Sequence, residues 1–388
     1  MTYLLINNYT ILTMKKIVWC SNCLTMSTRP RITFDNRGWC NACRWMEEKK
    51  KIKWDQREKE LIKLLDKYRK TDGSFDCLVP CSGGKDGSYV SYTLKHRYGM
   101  NPLAVTVTPA LPLDLGDENL KSFVNSGYNH ISVNTCSHAL KKLNKIGFIE
   151  MGFPYYGWLI AIPTATMKIA LSHGISLIFY GEDGEVEYGG TTETISNPIF
   201  DIEYTKRVYL EGGYDKVLNK SGLSENDLYY FRFPGDEHLK DKDINLTHLS
   251  YFENWDPYRN YLVAKEFCGL KEASTNNEGT FTNFSQNDQA LYALHTYLMY
   301  LKFGFGRANQ DASIEVRRGA MDRNQALNLV RLYDGIFPDN YLQTYLQYFE
   351  MSLEEFNLVL DKYANKDLFE KVNNFWKPKF KVGEDFFI

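Results

Sequence analysis

Seven consecutive residues near position 85 have the composition of a phosphate-binding loop. They are Ser82, Gly83, Gly84, Lys85, Asp86, Gly87 and Ser88. Glycines let a backbone approach a ligand closely, and the N–H groups at a helix start attract anions. Lys85 and the two serines would add side-chain donors, and Asp86 would hold Mg²⁺ or an orienting hydrogen bond. A Walker A loop is excluded because GxxxxGK[ST] does not occur, so the pattern predicts a nucleotide site of another type.

Four cysteines in two pairs have the spacing of a metal site. Cys20 and Cys23 form one CxxC motif, and Cys40 and Cys43 form another after a gap of 16 residues. Each motif places two thiolates on one tight turn, and two such turns complete a tetrahedral set of four sulfurs. The set predicts a closed structural site. Zn²⁺ is favoured over an iron–sulfur cluster because no other redox machinery is visible, and the choice stays open; two disulfides are disfavoured.

A second cluster of polar residues follows the apolar run at 176–180. It is acidic and comprises Gly181, Glu182, Asp183, Gly184 and Glu185. Clustered carboxylates just past a strand suit Mg²⁺ held together with pyrophosphate. We therefore expect Gly181 and Glu182 to bind the nucleotide and Asp183 to take part in catalysis, the alternative being an acidic turn. Glu187 and Tyr188 are candidates for binding the acceptor, that is, the second substrate of a nucleotide-dependent reaction.

Basic residues near position 310 are candidates for an acidic substrate. The set is Lys302, Arg307, Arg317, Arg318 and Arg323, and Asp311, Ser313 and Glu315 are their possible partners. Arginine binds carboxylate and phosphate bidentately. Lys302, Arg307 and Arg317 are the predicted substrate contacts, and surface salt bridges are the alternative. Cys81, just before the glycine-rich loop, is interpreted as a small buried residue in preference to a reactive thiol.

The elements that must position these groups alternate between strands and helices. Strand-like runs occur at 75–80, 102–108, 130–134 and 176–180, with helical patterns between them. Such alternation predicts an α/β fold with a parallel sheet, and ligands on such sheets bind beyond the carboxyl ends of the strands. The predicted divisions are a zinc-ribbon region at 15–46, a connector helix at 47–74, a nucleotide domain at 75–190 and a mostly helical substrate or partner region at 191–388.

The composition limits the possible partners. The chain has 388 residues, 44% hydrophobic and 24% charged, with a net charge of -2. No field from the whole chain gathers nucleic acid or anionic membrane, and no apolar run reaches the ~18 residues of a membrane span. The first 13 residues lack the basic start and cleavage site of a signal peptide, so a cytoplasmic location is expected. Met14, followed by two lysines, is the expected natural start.

Several motifs resemble known families. The segment SGGKDGS is similar to the PP-loop of the ATP pyrophosphatase superfamily, whose usual form is SGGxDS, with Gly87 where the final serine falls and Ser88 one place later. Four further segments resemble bacterial N-acetyl-sugar amidotransferases of the WbpG/PseA-like family. They are WCSNCLTMSTRPRITFDNRGWCNACRW, GEDGEVEYGG, YLMYLKFGFGRANQDASIEVRRGAMDR and LVRLYDG. The resemblance implies a PP-loop ATP pyrophosphatase domain of the adenine nucleotide alpha hydrolase type.

The resemblance also implies an activity. Such enzymes use ATP to adenylate the carbonyl oxygen of a sugar N-acetyl group, and ammonia then replaces that oxygen to give an acetamidino sugar. Lys85, Asp86 and Asp183 are the expected catalytic residues, with ATP, Mg²⁺ and Zn²⁺ as ligands. The implied partners are glutaminase and cyclase-like subunits that supply ammonia, and an acetamido sugar or nucleotide-sugar as substrate, with no nucleic acid or membrane. A PP-loop tRNA thiolation enzyme and a non-catalytic nucleotide-binding zinc scaffold are the alternatives.

Overall fold

The computed structural model of the chain describes residues 15–181, 185–239 and 243–388. The predicted site residues Glu182 and Asp183, and the predicted start at Met14, lie outside the described residues.

Most strands belong to one sheet of six, in the order β4-β3-β2-β5-β7-β6. All neighbours are parallel except β6, which runs antiparallel to β7. The strands among the described residues are Lys16–Ile17 (β1), Cys77–Pro80 (β2), Pro102–Val107 (β3), Asn129–Val133 (β4), Leu177–Tyr180 (β5), Ile199–Phe200 (β6), Asn245–His248 (β7), Phe369–Val372 (β8), Phe375–Pro378 (β9) and Phe386–Phe387 (β10).

Helices cover both faces of the sheet, and a second set forms the C-terminal region. The α-helices among the described residues are Asn41–Lys49 (α1), Trp54–Tyr68 (α2), Lys85–Tyr92 (α3), Asp114–Asn125 (α4), Ser137–Met151 (α5), Tyr156–Ser172 (α6), Ile202–Tyr204 (α7), Tyr214–Ser221 (α8), Asp236–Leu239 (α9), Pro257–Cys268 (α10), Leu291–Phe303 (α11), Arg307–Arg317 (α12), Arg323–Tyr333 (α13), Leu342–Phe349 (α14) and Leu353–Tyr363 (α15).

Alternate residues of the central strands enter two separate cores. In β2, Leu78 packs into the core that includes α5, α6 and the C-terminal helices, whereas Val79 packs into the core that includes α2 and α3. Ile178 and Phe179 of β5 divide in the same way. A strand that is buried on both faces consists of consecutive apolar residues. This is why β2 and β5 could be predicted from the sequence.

Two predicted divisions differ in detail from the structure. The sheet extends past residue 190, because β6 and β7 come from the region predicted to be mostly helical. The predicted connector contributes to a core, since Leu61 and Leu65 of α2 are buried against the sheet. The predicted fold class is confirmed: a mostly parallel α/β sheet, an N-terminal four-cysteine region and a largely helical C-terminal part.

Candidate active site

The glycine-rich loop joins β2 to α3 at the carboxyl end of the sheet. The N–H of Cys81 still donates to Val105 O of the neighbouring strand at 2.9 Å, and the chain then turns away. Gly83 adopts a φ of +81°, and a Cβ added there would lie 2.5 Å from Leu120 N in α4. Gly84 is the N-cap of α3 and provides no side-chain acceptor for its first-turn N–H groups. These donors are therefore available for an anion.

Gly87 and Gly181 fix the loop against the two strand ends. A Cβ at Gly87 would lie 3.0 Å from Cys81 Sγ and from Pro80 O, and one at Gly181 would lie 2.9 Å from Gly87 N. A serine at position 87, as in the usual superfamily pattern, would meet the end of β2. Ser88 is fully buried, with its hydroxyl 3.9 Å from Cys81 Sγ. Its side chain therefore faces the protein interior and not the cleft.

Asp86 is held by groups from two elements. Its carboxylate forms an ion pair with Lys85 Nζ and accepts a hydrogen bond of 3.1 Å from Asn260 Nδ2. Asn260 is fully buried on α10, the helix that packs against α3. Asn260 could not be predicted from the sequence, because it lies 174 positions from its partner. Lys85 and Asn260 together fix the orientation of the Asp86 carboxylate, and Asp86 lines the cleft described below.

The loop opens into a cleft of about 490 Å³. The ends of β2, β3 and β5 form one side, and α6, residues 282–292 and α12 form the others. Aromatic rings are frequent in its walls, contributed by Tyr155, Trp158, Tyr188, Trp255, Tyr258, Phe284 and Tyr292. Of the predicted site residues, the cleft is lined by Ser82, Gly84, Lys85, Asp86, Gly87, Gly181, Tyr188 and Arg307. A cleft that combines aromatic walls with charged and polar groups suits a polar small molecule that carries apolar faces.

Helix α12 supplies the charged wall that faces the loop. Arg307 Nε forms an ion pair of 2.8 Å with Asp311 Oδ1, and Ile314 and Glu315 continue the same helical face. Asp334 holds the start of this helix, because its Oδ2 accepts the Gly306 N–H at 2.7 Å. Burial raises the pKa of Asp334 to about 7, against the lowering effect of the backbone N–H groups that it accepts. The LVRLYDG motif thus acts through Asp334 to position α12.

Asp288 is a cleft residue that the sequence did not reveal. It lies in the segment before α11, and its backbone O accepts the Leu113 N–H at 3.1 Å. Burial raises the pKa of its carboxyl to about 6, while hydrogen bonds from its own backbone N–H and from the Ser82 and Tyr292 hydroxyls oppose the rise. The segment SQNDQA carries no recognisable motif, so only the three-dimensional contact with Ser82 identifies it.

The four cysteines of the ribbon form one compact buried group. Their Sγ atoms all lie within 4.8 Å of one another, and Cys20–Cys43 and Cys23–Cys40 are each separated by 3.7 Å. A tetrahedral ion with Zn–S bonds of about 2.3 Å requires sulfurs about 3.8 Å apart. The cysteine group therefore fits a single metal ion.

Three predicted substrate residues lie outside the cleft wall. Glu187 Oε1 is buried in an ion pair with Lys49 Nζ at 2.7 Å and accepts Trp45 Nε1 at 2.8 Å. Arg317 lies between Cys23 Sγ, at 3.7 Å, and the backbone O of Glu187, at 3.2 Å. Lys302 Nζ donates to Met151 O at 2.7 Å. Each of these three charged groups, which were predicted to bind substrate, therefore has a partner within the protein.

The cysteine region contacts two elements of the cleft. Asn41 Nδ2 donates to Gly189 O at 2.8 Å, next to the cleft residue Tyr188. Asn309 Nδ2 of α12 donates to the backbone O of Leu24 at 2.8 Å. Leu24 directly follows Cys23, the second cysteine of the first CxxC motif. The ribbon therefore braces both the segment after β5 and the charged helix α12.

Comparisons with known proteins give one family match and low structural similarities. Residues 278–382 match the family model described as "LPS biosynthesis protein WbpG-like, C-terminal domain". No curated protein matches the chain. In the part of the chain that the structure describes, no helix is both long and apolar enough to cross a membrane.

Two solved structures illustrate the low structural similarity. The predicted subunit of a tRNA methyltransferase from Methanocaldococcus jannaschii is 17% identical, with a TM-score of 0.28, over 62% of this chain and 91% of that chain. The U34-tRNA thiolase NcsA from Methanococcus maripaludis, solved with its 4Fe-4S cluster, is 13% identical, with a TM-score of 0.32, over 69% of this chain and 79% of that chain. Neither similarity bears on the chemistry of this chain. The family similarity is therefore confined to residues 278–382, which include α12 and Asp334 and resemble the C-terminal domain of WbpG-like proteins.

Proposed function

We propose that the chain is an ATP-dependent amidotransferase that converts the N-acetyl group of a sugar into an acetamidino group. One observation carries the proposal: a phosphate-type loop at 82–87 and helix α12 of the WbpG-like domain line the same cleft. A loop of this kind alone supports an ATP-using enzyme. The WbpG-like helix opposite it supports a sugar acceptor, because that family is described by its part in LPS biosynthesis.

The proposed reaction begins with activation of a poor electrophile. The amide oxygen attacks the α-phosphate of ATP, which gives an O-adenylated imidate and releases pyrophosphate. Lys85 and the first-turn N–H groups of α3 would neutralise the phosphate charge that develops at this step. Asp86, oriented by Asn260, and the predicted residues Glu182 and Asp183 would hold Mg²⁺, which when bound balances the charge of the departing pyrophosphate.

Ammonia then adds to the activated carbon, and AMP leaves with the former amide oxygen. The product is an amidinium, so the acceptor gains one nitrogen and loses one oxygen. The chain's contribution to both steps is mainly positioning, since a well-oriented bimolecular step gains about 7–11 kcal/mol over the free reactants.

The acceptor would lie against the aromatic wall and α12. Rings such as Trp158 and Tyr292 offer apolar faces, and Trp158 Nε1 is itself fixed by a hydrogen bond of 2.8 Å to Val107 O. Arg307 is the cationic residue of α12 in the cleft and is suited to a carboxylate or phosphate of an acidic sugar or nucleotide-sugar. Lys302 and Arg317 are left out of this role because of their contacts within the protein.

Several further parts of the proposal concern ligands and partners. The four cysteines would hold Zn²⁺ as a structural ion. A glutaminase with a cyclase-like subunit would supply ammonia, and the products would enter bacterial surface polysaccharide, such as O-antigen, or nonulosonic acid on flagellin. The site of action would be the cytoplasm.

The source of ammonia can be tested with glutamine. Addition of the purified partner should make glutamine as effective as ammonium in amidine formation. Equal use of glutamine by this chain alone would contradict a separate glutaminase.

Sulfur transfer to tRNA is the competing chemistry for a PP-loop enzyme. Cys81 is the cysteine that lines the cleft, but it is 4% exposed, and burial raises the pKa of its thiol to about 12. A thiol of that pKa is a poor nucleophile at neutral pH. Salt-sensitive binding of bulk tRNA together with ATP-dependent thiolation would nevertheless favour that alternative.

Pyrophosphate release in the presence of N-acetyl sugars tests the proposal. Wild-type protein with ATP, Mg²⁺ and ammonium should release pyrophosphate only when an N-acetylated sugar or nucleotide-sugar is added. Asp86→Ala should abolish this release. Asp55→Ala is the matched control, because Asp55 is also an acidic residue in the first turn of a helix but is exposed on α2. Release by Asp86→Ala at the wild-type rate, or none with any such acceptor, would contradict the proposal.

A further inference from the structure

The carboxylate of Asp288 faces the phosphate loop from the opposite wall of the cleft. Two backbone hydrogen bonds join its segment to residues 111–113, because Leu113 N donates to Asp288 O at 3.1 Å and Ala290 N donates to Leu111 O at 3.0 Å. The packing against α4 is close, since a Cβ added at Gly116 would lie 2.4 Å from Asp288 Cα. A side chain on so constrained a backbone is pre-positioned.

Asp288 differs from the other carboxylates that line the described part of the cleft. Asp86 pairs with Lys85, Asp311 with Arg307 and Glu315 with Arg318, and each of these cations neutralises its partner. The groups that contact the Asp288 carboxylate are hydroxyls, those of Ser82 and Tyr292. A carboxylate that hydroxyls hold, with no cation bound to it, keeps its capacity to accept a proton.

The surroundings of Asp288 also suit proton transfer near neutral pH. The titratable groups that line the cleft with Asp288 are Cys81, Lys85 and Asp86 of the loop, Tyr155, Tyr188, Tyr258, Tyr292, and Arg307, Asp311 and Glu315 of α12. Helix α4, which packs against the Asp288 backbone, carries the exposed Asp114 and Asp117 on either side of Gly116. Burial raises the pKa of Asp288 to about 6. The pKa of the Tyr155 hydroxyl is raised mainly by burial and, next, by the negative charge of Asp288. A base is most effective when its pKa lies near the working pH.

We propose that Asp288 is the general base that takes the proton from ammonia as ammonia adds to the adenylated acetamido group. The inference rests on the proposed function and assigns its second step. Ser82 belongs to the phosphate loop and Tyr292 to the aromatic wall, so a carboxylate that contacts both lies where the activated carbon and the AMP phosphate must meet.

The step balances as follows. The nitrogen lone pair of ammonia forms a bond to the imidate carbon, which gives an adduct that carries –NH₃⁺. Asp288 accepts one proton from this group, leaving –NH₂. The nitrogen lone pair then forms the C=N bond of the amidinium while the C–O bond breaks, and its electrons leave with AMP. Asp288 returns its proton to the departing phosphate or to water.

Two readouts separate this role from nucleotide binding. Acceptor-dependent exchange of labelled pyrophosphate into ATP reports adenylation alone. Amidine formation from ammonium, measured between pH 5 and 9 and divided by the concentration of free NH₃, reports the second step. Asp288→Asn keeps the shape of the side chain, and its amide oxygen can still accept a hydroxyl hydrogen bond.

We expect the wild-type protein to show an acidic limb near pH 6 in amidine formation. Asp288→Asn should retain the exchange, lower amidine formation by about 10²- to 10⁴-fold and lose this limb. Tyr292→Phe should move that limb to higher pH, because the lost hydrogen bond had stabilised the ionised form. An unchanged limb in Asp288→Asn, or equal losses of exchange and amidine formation, would overturn the assignment. Absence of acceptor-dependent exchange in the wild type would instead overturn the proposed function itself.

Discussion

Replacing Gly83 with alanine is expected to destabilise the protein and to abolish ATP binding. The residue has a φ of +81°, and an added Cβ would lie 2.5 Å from Leu120 N, 2.6 Å from Leu120 Cα and 2.7 Å from Asn119 C. All three contacts are backbone atoms near the middle of α4. They cannot yield as the end of a flexible side chain would, so either the loop or the helix must move.

The expected cost has two parts. The left-handed conformation of a residue with a Cβ costs about 1–2 kcal/mol, and overpacking of a closed site adds about 1–3 kcal/mol. Gly83→Ala should therefore lower the free energy of unfolding by about 2–5 kcal/mol. Gly73→Ala is a matched control, since Gly73 has a φ of +84° but no atom within 4 Å of the added Cβ. It should cost only the conformational part, about 1–2 kcal/mol.

Urea unfolding of the two variants measures this difference, and titration calorimetry measures ATP binding. We expect Gly73→Ala to bind ATP as the wild type does and Gly83→Ala not to bind it. Equal losses of unfolding free energy in the two variants would show that α4 gives way at no cost. Normal ATP binding by Gly83→Ala would refute the role of the loop as a fixed phosphate site.

Three further predictions concern the surroundings of the site. Glu187→Gln leaves Lys49, buried at 4% side-chain exposure, without its ionic partner and should lower the free energy of unfolding by about 3–5 kcal/mol in urea. Glu48→Gln breaks an exposed ion pair and should leave the urea midpoint nearly unchanged, and an equally small loss in Glu187→Gln would argue against a structural role for Glu187. Burial lowers the pKa of His248 to about 4, so the native state resists protonation, and the melting temperature should fall as pH drops from about 6.5 toward 4. The variant His248→Gln should show a shallower fall, and an unchanged slope would refute the assignment. Chelation should release one metal ion per chain and speed hydrogen exchange in α12 but not in β3, whereas unaltered exchange in α12 would contradict the bracing contacts.

Most of the fold and part of the candidate site could be predicted from patterns of residues that are close together in the sequence. The strand–loop–helix setting of the glycine-rich loop could be predicted because Ser82 to Gly87 are adjacent in the chain and follow a buried strand. The cysteine pairs could be predicted for the same reason, since two short motifs with a suitable gap need little further information. The short strands β6 and β7 were missed because each is only two to four residues long and lies in polar sequence.

Residues whose roles depend on distant partners could not be assigned from the sequence. Asn260 reaches Asp86 across 174 positions, and Glu187 pairs with Lys49 across 138 positions. A charged residue next to a functional motif has the same appearance in the sequence whether it contacts a ligand or the protein. Only the fold distinguishes Arg307, which lines the cleft, from Arg317, which contacts the cysteine group.

The fate of the amide oxygen tests the proposed reaction most directly. An N-acetyl sugar acceptor labelled with ¹⁸O in the carbonyl group would be incubated with the protein, ATP, Mg²⁺ and ammonium, and the nucleotide product would be analysed by mass spectrometry. The proposed mechanism predicts AMP with one ¹⁸O atom for each amidine formed, and unlabelled pyrophosphate. Unlabelled AMP, or label in inorganic phosphate, would contradict adenylation of the amide oxygen.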